Sequence, residues 1–156
     1  MTPSIAFYQP DIPQNVGAAM RLAACMDVDM HVIEPCGFIW KDDHFKRSGM
    51  DYRSQVNLFR HQDWESFLQH IGDARLVLLT TKSSIPHTDF NFQENDILLF
   101  GRESAGVPET IHQTVSARIK IPMKEGARSL NVINTASLIL GEALRQTNSF
   151  PEMREG

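Results

Sequence analysis

The chain has 156 residues, 42% of them hydrophobic and 22% charged, with a net charge of −4 at neutral pH. These values are typical of one globular domain, and we expect a single domain over residues 1–156 with a frayed tail at 148–156. The net charge excludes a protein that coats nucleic acid through bulk charge, but a local basic face remains possible. The absence of a signal peptide or long apolar run favours a cytoplasmic protein without membrane partners.

Short apolar runs alternate with helical patterns along the chain. Strands are predicted at residues 5–8, 30–34, 56–59, 76–81, 97–101 and 117–121. Helices are predicted at residues 14–26, 42–48, 64–71, 108–114 and 130–146. This alternation indicates βαβ units. Runs that are apolar on both faces, such as Leu76–Leu79, indicate central strands covered by helices on each side. We therefore predict a mainly parallel, six-stranded α/β sheet with helices on both faces.

Three polar segments in this pattern are candidates for a ligand site. They are NVGAAMR at residues 15–21, LLFGRESAGVP at 98–108 and IPMKEGARSLN at 121–131. The third is a loop that feeds a helix N-terminus at Ser129 or Asn131, where backbone N–H groups are available to a ligand. The chain contains neither G-x-G-x-x-G nor G-x-x-x-x-G-K-[ST], which argues against a dinucleotide-binding or P-loop enzyme.

The three segments resemble the three motifs of the SPOUT superfamily of S-adenosyl-L-methionine-dependent RNA methyltransferases. FYQPDIPQN at residues 7–15, IEPCGF at 33–38, RSGMDY at 47–52 and LTTK at 79–82 resemble its minimal, single-domain tRNA wobble-nucleotide 2′-O-methyltransferases. The resemblance covers residues 4–147. It implies a Rossmann-like sheet with a C-terminal deep trefoil knot, whereas the apolar pattern alone favours an unknotted sheet.

The same resemblance implies an activity. The expected reaction transfers a methyl group from S-adenosyl-L-methionine, without a metal, to the 2′-hydroxyl of nucleotide 34, a cytidine or modified uridine, in the tRNA anticodon loop. The expected assembly is a homodimer built on the small-residue first helix and the apolar last helix, with no DNA partner. Two alternatives stay open, namely ribosomal RNA 2′-O-methylation and an RNA- or nucleotide-binding module without catalysis.

The resemblance places cofactor contacts at Leu79, Gly101, Ile121 and Ser129. We expect the full cofactor-binding set to comprise Leu79, Thr80, Gly101, Glu103, Gly106, Ile121, Met123, Ser129 and Leu130. The two glycines would let the backbone approach the ligand closely, although simple turn formation would also explain them.

The expected catalytic residues are Arg21, Asn15, Ser129 and Asn131. Arg21 closes the first motif, and its guanidinium is suited to gripping a phosphate of the target nucleotide, whereas its high pKa makes it a poor general base. A salt bridge to Glu103 or another acid is the alternative for Arg21. Helix capping is the alternative for the other three residues. Gly141 departs from related wobble enzymes, which can carry a tyrosine at that position.

Other residues carry weaker signals. Cys25 and Cys36 are expected to be buried thiols, and the six histidines are expected to lie mostly on the surface or in loops, without the spacing of metal ligands. Candidate RNA contacts are the basic residues Lys41, Lys46, Arg47, Arg53, Arg60, Arg118, Lys120, Lys124 and Arg128. Candidate base-stacking residues, for which core packing is the alternative, are Tyr8, Phe38, Trp40 and Tyr52.

Overall fold

The computed structural model describes residues 1–41, 53–127 and 129–153. Its strands are β1 (Ser4–Tyr8), β2 (Met30–Ile33), β3 (Leu58–His61), β4 (Leu76–Leu79), β5 (Ile97–Phe100) and β6 (Ala117–Ile119). Its helices are α1 (Pro13–Met26), α2 (Trp64–Ile71), α3 (Glu109–Thr114) and α4 (Val132–Thr147). The predicted helix at residues 42–48, together with Lys46, Arg47, Tyr52 and Arg128, lies outside the described residues.

The six strands form one sheet in the order β3-β2-β1-β5-β4-β6, and every pairing is parallel. Side chains alternate between the faces along each strand, so Ile5 and Phe7 join one core while Ala6 and Tyr8 join the other. Helices α1 and α4 cover the first face, and α2 and α3 cover the second. The prediction of a mainly parallel six-stranded sheet with helices on both faces is confirmed.

The predicted strands differ from the observed ones mainly at their carboxyl ends. The predictions for the fourth, fifth and sixth strands ran to residues 81, 101 and 121, whereas the strands end at Leu79, Phe100 and Ile119. The third strand is shifted two residues towards the C-terminus, because the polar side chains of Arg60 and His61 find cross-strand partners in Glu34 and His31. Such partners are invisible in an apolar pattern.

Two expectations about burial are wrong. Cys25 is exposed on α1, because the buried stripe of that helix runs through Val16, Ala19 and Ala23 instead, and Cys36, which follows β2, is half-buried. Burial and the neighbouring Glu34 raise the pKa of the Cys36 thiol to about 11, although nearby Arg60 opposes the rise. No helix among the described residues has the length and apolar character needed to span a membrane.

His31 and His61 are buried, whereas the other described histidines, His70, His87 and His112, are not, so the expectation of surface histidines fails for these two. Their ring nitrogens Nδ1 and Nε2 lie 2.9 Å apart, and His31 stacks on Phe59 with ring centroids 5.2 Å apart. The ring of His70 on α2 contacts both of them. Burial, with a smaller contribution from the facing rings of His61 and His70, lowers the pKa of His31 to about 4.

The histidine cluster predicts that the fold loses stability in mild acid. As pH falls from 6.5 to about 4, the unfolded chain binds a proton at residue 31 that the folded protein does not. The free energy of unfolding should therefore fall by up to about 3 kcal/mol over that range. Urea titrations between these pH values measure the slope, which should shrink in His31→Phe and persist in the control His87→Gln. An unchanged slope in His31→Phe would contradict the assignment.

Candidate active site

The loops that follow β4, β5 and β6 enclose a cavity of about 960 Å³ at the carboxyl edge of the sheet. All nine expected cofactor-binding residues line it: Leu79, Thr80, Gly101, Glu103, Gly106, Ile121, Met123, Ser129 and Leu130. Asn15 and Asn131 line it as well. The cavity lies where loops after parallel strands meet, which is the usual position of ligand sites in open α/β sheets.

The loop after β5 is a tight ring closed by its own backbone. Arg102 N–H donates to the carbonyl of Gly106 at 3.0 Å, and Gly106 N–H donates back to the carbonyl of Arg102 at 2.9 Å. A Cβ on Gly101 would lie 2.6 Å from backbone atoms of Gly106, closer than real Cβ contacts come. Gly106 itself has a φ of 66°, in the left-handed region that favours glycine. Both glycines are therefore required by the geometry of this loop.

A chain of hydrogen bonds connects the three motif segments. The Nδ2 of Asn15, on α1, donates to Oε1 of Glu103 at 3.1 Å. The Nδ2 of Asn131 donates to Oδ1 of Asn15 at 3.3 Å. The backbone N–H of Asp11 donates to Oε2 of Glu103, also at 3.1 Å. One residue from each of the three sequence segments thus belongs to a single network at the cavity wall.

Asn131 also sets the start of α4. Its Oδ1 accepts a hydrogen bond from the N–H of Ile133 at 2.8 Å, so it is the N-cap of the helix. The capping alternative for Asn131 is therefore correct, and it coexists with the link to Asn15. Ser129 and Leu130, by contrast, lie before the helix and are exposed on the cavity.

Arg21 lies apart from this network. It is exposed on α1 and is not among the residues that line the cavity. At about 3.6 residues per turn, its side chain leaves the helix roughly 120° away from that of Asn15. The alternative of a salt bridge to Glu103 gains no support, since the hydrogen bonds to Glu103 come from Asn15 and Asp11.

Sequence reasoning missed several residues that line the cavity or support it. Lys82 and Val107, which lie within the expected segments 79–82 and 98–108, line it as well, whereas His112 lines it without having been expected there, and Asp11 donates its backbone N–H to Glu103. Asp11 could have been suspected from its place in the segment before Asn15. His112 carried no signal, because only the tertiary packing of α3 brings it to the cavity.

Some of the candidate RNA-contacting groups lie at the cavity, and others lie elsewhere. Lys120 and Lys124 line the cavity, whereas Arg60 pairs with Glu34 at 2.8 Å and covers the ring of Trp40 at 4.1 Å. Tyr8 is buried, in agreement with core packing. Across residues 1–41, 53–127 and 129–153, no group of three or more His, Cys, Asp or Glu side chains could hold a metal ion.

Comparison with known proteins identifies relatives of this chain. A tRNA (cytidine(34)-2′-O)-methyltransferase of Beijerinckia indica is 52% identical over 153 residues, which cover 97% of this chain and 96% of that protein. A solved structure described as giving insights into the 2-OH methylation of C/U34 on tRNA has a TM-score of 0.87 at 36% identity, covering 93% of this chain and 95% of that one.

A third relative shares the fold at lower identity. The SpoU methyltransferase AviRb of Streptomyces viridochromogenes, solved in complex with the cofactor AdoMet, has a TM-score of 0.81 at 24% identity, covering 92% of this chain and 59% of that one. The profile of the SpoU rRNA Methylase family matches residues 3–141. A match over most of the chain, together with a full-length relative at 52% identity, shows that the chain belongs to the SpoU rRNA methylase family.

Proposed function

We propose that this protein is a tRNA 2′-O-methyltransferase that transfers a methyl group from S-adenosyl-L-methionine to the ribose of nucleotide 34, a cytidine or modified uridine. The observation that carries the proposal is the convergence of the three motif segments on one cavity, in which Asn15, Glu103 and Asn131 are joined by hydrogen bonds. The relative from Beijerinckia indica, similar over nearly its whole length, carries the name of that activity.

The cavity suits a ligand with both apolar and polar parts. Leu79, Ile121 and Leu130 supply apolar surface for a flat ring, and the tight loop after β5 has no room for a side chain at Gly101. When bound, S-adenosyl-L-methionine supplies a methyl group already activated by its sulfonium. Because that activation needs no Lewis acid, we propose a reaction without a metal.

The task left to the protein's own residues is positioning. Asn15 donates to Glu103 and accepts from Asn131, and these bonds fix the two asparagines in the cavity wall. Ser129 is exposed in the same cavity, where it can contact the ligand. Arg21 is proposed to grip a phosphate of the target nucleotide in a two-pronged contact that orients the 2′-oxygen. In this role Arg21 acts on the RNA, and the loops after β4, β5 and β6 act on the cofactor.

We propose a C-terminal trefoil knot from the way residues 83–92 hold the following chain. Lys120 donates its N–H to the carbonyl of Ile85 at 2.9 Å and accepts from His87 N–H at 2.8 Å. Near the end of α4, the amide of Gln146 bonds the backbone of Phe90 and Phe92. The segment between β4 and β5 thus contacts both ends of the C-terminal part, as threading would require.

We also propose a homodimer that places α1 and α4 against their counterparts, in the cytoplasm where tRNA is modified. Arg21 and Cys25 are exposed on α1, and Leu138 is 49% exposed on α4, which packs beside it. Arg21 does not line the cavity of its own chain. A second copy would add another such basic group to an RNA-binding surface that is small in one subunit.

The function is tested with a tRNA and with a control that lacks only the proposed acceptor hydroxyl. Purified protein, radiolabelled S-adenosyl-L-methionine and a tRNA with cytidine 34 should give 2′-O-methylcytidine at that position, identified by nucleoside mass spectrometry. The same tRNA with 2′-deoxycytidine at position 34 is the matched control and should accept no methyl group. Methylation of ribosomal RNA with no product on tRNA would favour the alternative, and cofactor binding without any transfer would favour a binding module.

Gly101→Ala should weaken cofactor binding. The new Cβ would lie 2.6 Å from backbone atoms of Gly106, so the loop must shift at the cavity wall. We expect affinity for S-adenosyl-L-homocysteine to fall about tenfold or more by calorimetry, with a loss of about 1–3 kcal/mol in stability. Gly141→Ala is the control, because a Cβ there meets nothing within 4 Å and should leave affinity unchanged. Equal affinities in the two variants would contradict a role of the loop after β5 in cofactor binding.

Arg21→Ala should lower the single-turnover rate of methyl transfer by about a hundredfold or more, because the acceptor is no longer held in line. Cofactor affinity and folding should be nearly unchanged, since Arg21 does not line the cavity. Arg21→Lys should also fail substantially, as an ammonium group cannot make the planar two-pronged contact. Rates near that of the wild type in both variants would mean that Arg21 takes no part in the reaction.

Leu138→Arg should convert the dimer to a monomer and reduce methyl transfer. The side chain is 49% exposed on the proposed interface, where a charge would be buried against the second copy. Leu68→Arg is a matched control, because Leu68 is 38% exposed on α2, on the opposite face of the sheet. Light scattering at micromolar concentration gives the mass, and a fully active monomeric wild type would defeat the proposal.

A further inference from the structure

The contact between Asp11 and the loop after β5 joins two segments that are far apart in the chain. The backbone N–H of Asp11 donates to Oε2 of Glu103 at 3.1 Å, across 92 residues of sequence. The hydroxyl of the neighbouring Ser104 donates to Oδ2 of Asp11. Asp11 is therefore held to the loop by its main chain and its side chain, one layer behind the residues that line the cavity.

The network that continues from Glu103 has a fixed direction. Asn15 must present its NH₂ group to Glu103, so its carbonyl oxygen faces the NH₂ group of Asn131. Asn131 in turn uses its own oxygen to accept from the N–H of Ile133. Each amide orientation follows from the preceding contact, and all of them depend on Glu103 remaining an acceptor in its present place.

One oxygen of Asp11 lacks a donor of the ordinary kind. Its Oδ1 is buried, and no hydrogen-bond partner for it is found among the described residues. The neighbouring acid is Glu103, whose Oε2 accepts from the backbone N–H of Asp11 and whose carboxyl acts on the pKa of Asp11. Two carboxylates side by side repel each other, and a proton held between them turns the repulsion into a hydrogen bond. A proton on Glu103 would supply a donor for this carboxyl.

The electrostatic surroundings of the two residues agree with this arrangement. Burial, and then the hydrogen bond to Asp11, raise the pKa of Glu103. The hydrogen bond from Glu103, with that from Ser104, lowers the pKa of Asp11. The two groups titrate as a pair, and the opposite directions of the two shifts are those expected for a proton held on Glu103 beside an ionised Asp11.

We propose that Asp11 is a positioning residue that shares one proton with Glu103 and thereby fixes the orientation of Asn15 and Asn131 at the cavity. The inference rests on the proposed function of that cavity as the cofactor site. Loss of the proton at higher pH places two carboxylates side by side and loosens the loop before α1 from the loop after β5. Cofactor affinity should then fall as pH rises through the titration of the pair.

Other ionisable groups face this region and contribute to any pH dependence. Cys36 lies on the loop after β2, where burial raises its pKa to about 11. Arg102 lies next to Glu103 in the chain, with its guanidinium over the ring of Tyr8 at 5.6 Å. The remaining ionisable groups that line the cavity are Lys82, His112, Lys120 and Lys124. All of these are the same in the wild type and in a variant of Asp11, so the difference between the two isolates the pair.

The test compares Asp11→Asn with Ser104→Ala. Asparagine keeps the size of the side chain, can accept from Ser104 and can donate to an ionised Glu103, so it removes the need for a shared proton. Wild-type affinity for S-adenosyl-L-homocysteine, measured by calorimetry from about pH 5 to 8.5, should fall roughly fivefold or more as pH rises. That fall should disappear in Asp11→Asn and remain in Ser104→Ala, which keeps both carboxyls.

A second measurement does not depend on the cofactor. Carboxyl carbon NMR of the free protein should show Glu103 titrating above its usual range in the wild type and at lower pH in Asp11→Asn. If Asp11→Asn does not fold, Glu103→Gln replaces the shared proton by an amide donor and should likewise make affinity independent of pH.

An unchanged Glu103 titration in Asp11→Asn, or a wild-type pH dependence of affinity in that variant, would overturn the inference. If the wild type binds no S-adenosyl-L-homocysteine at any pH while the NMR shift is seen, the result contradicts the proposed cofactor site and supports the shared proton.

Discussion

The parallel pairing of β1 with β5 is the constraint on which the candidate site depends. Ile5 pairs with Leu98 and Phe7 with Phe100, so the chain leaves both strands at the same edge of the sheet. This pairing brings the loop before α1 against the loop after β5, and the contact between Asp11 and Glu103 follows from it. Without that strand order, the first motif and the second would lie at separate places on the molecule.

The hydrogen bonds built on this contact preorganise the cavity. Each bond contributes only about 0.5–1.5 kcal/mol to stability, but together they fix which atoms of Asn15 and Asn131 face the cavity. The same asparagine that closes the network begins α4, so the start of the helix and the wall of the cavity share one side chain. Enzymes that rely on positioning need this order before the substrate arrives.

The secondary structure was largely predictable because the apolar period of each segment agrees with its burial. The errors fall where polar residues replace apolar ones. The prediction for β3 was displaced because Arg60 bonds Glu34, just after β2, and His61 bonds His31, on β2. The predictions for β4, β5 and β6 ran into residues that line the cavity instead. Cys25 was expected to be buried and is exposed, whereas His31 is buried although most histidines were expected at the surface. Hydropathy does not say which side of an element faces the core.

The sequence by itself indicated the class of fold and the three motif segments, since those depend on local patterns, and its resemblance to a known family indicated nine residues that line the cavity. The tertiary structure alone decided that Asn15, Glu103 and Asn131 form one network, that Asp11 supports it, and that Arg21 lies outside the cavity. The reason is physical: contacts between residues 88 to 116 apart in the chain arise from strand order and helix packing, which no local pattern encodes. The local sequence decides which residues are polar, small or apolar, and the order of the strands decides which of them become neighbours.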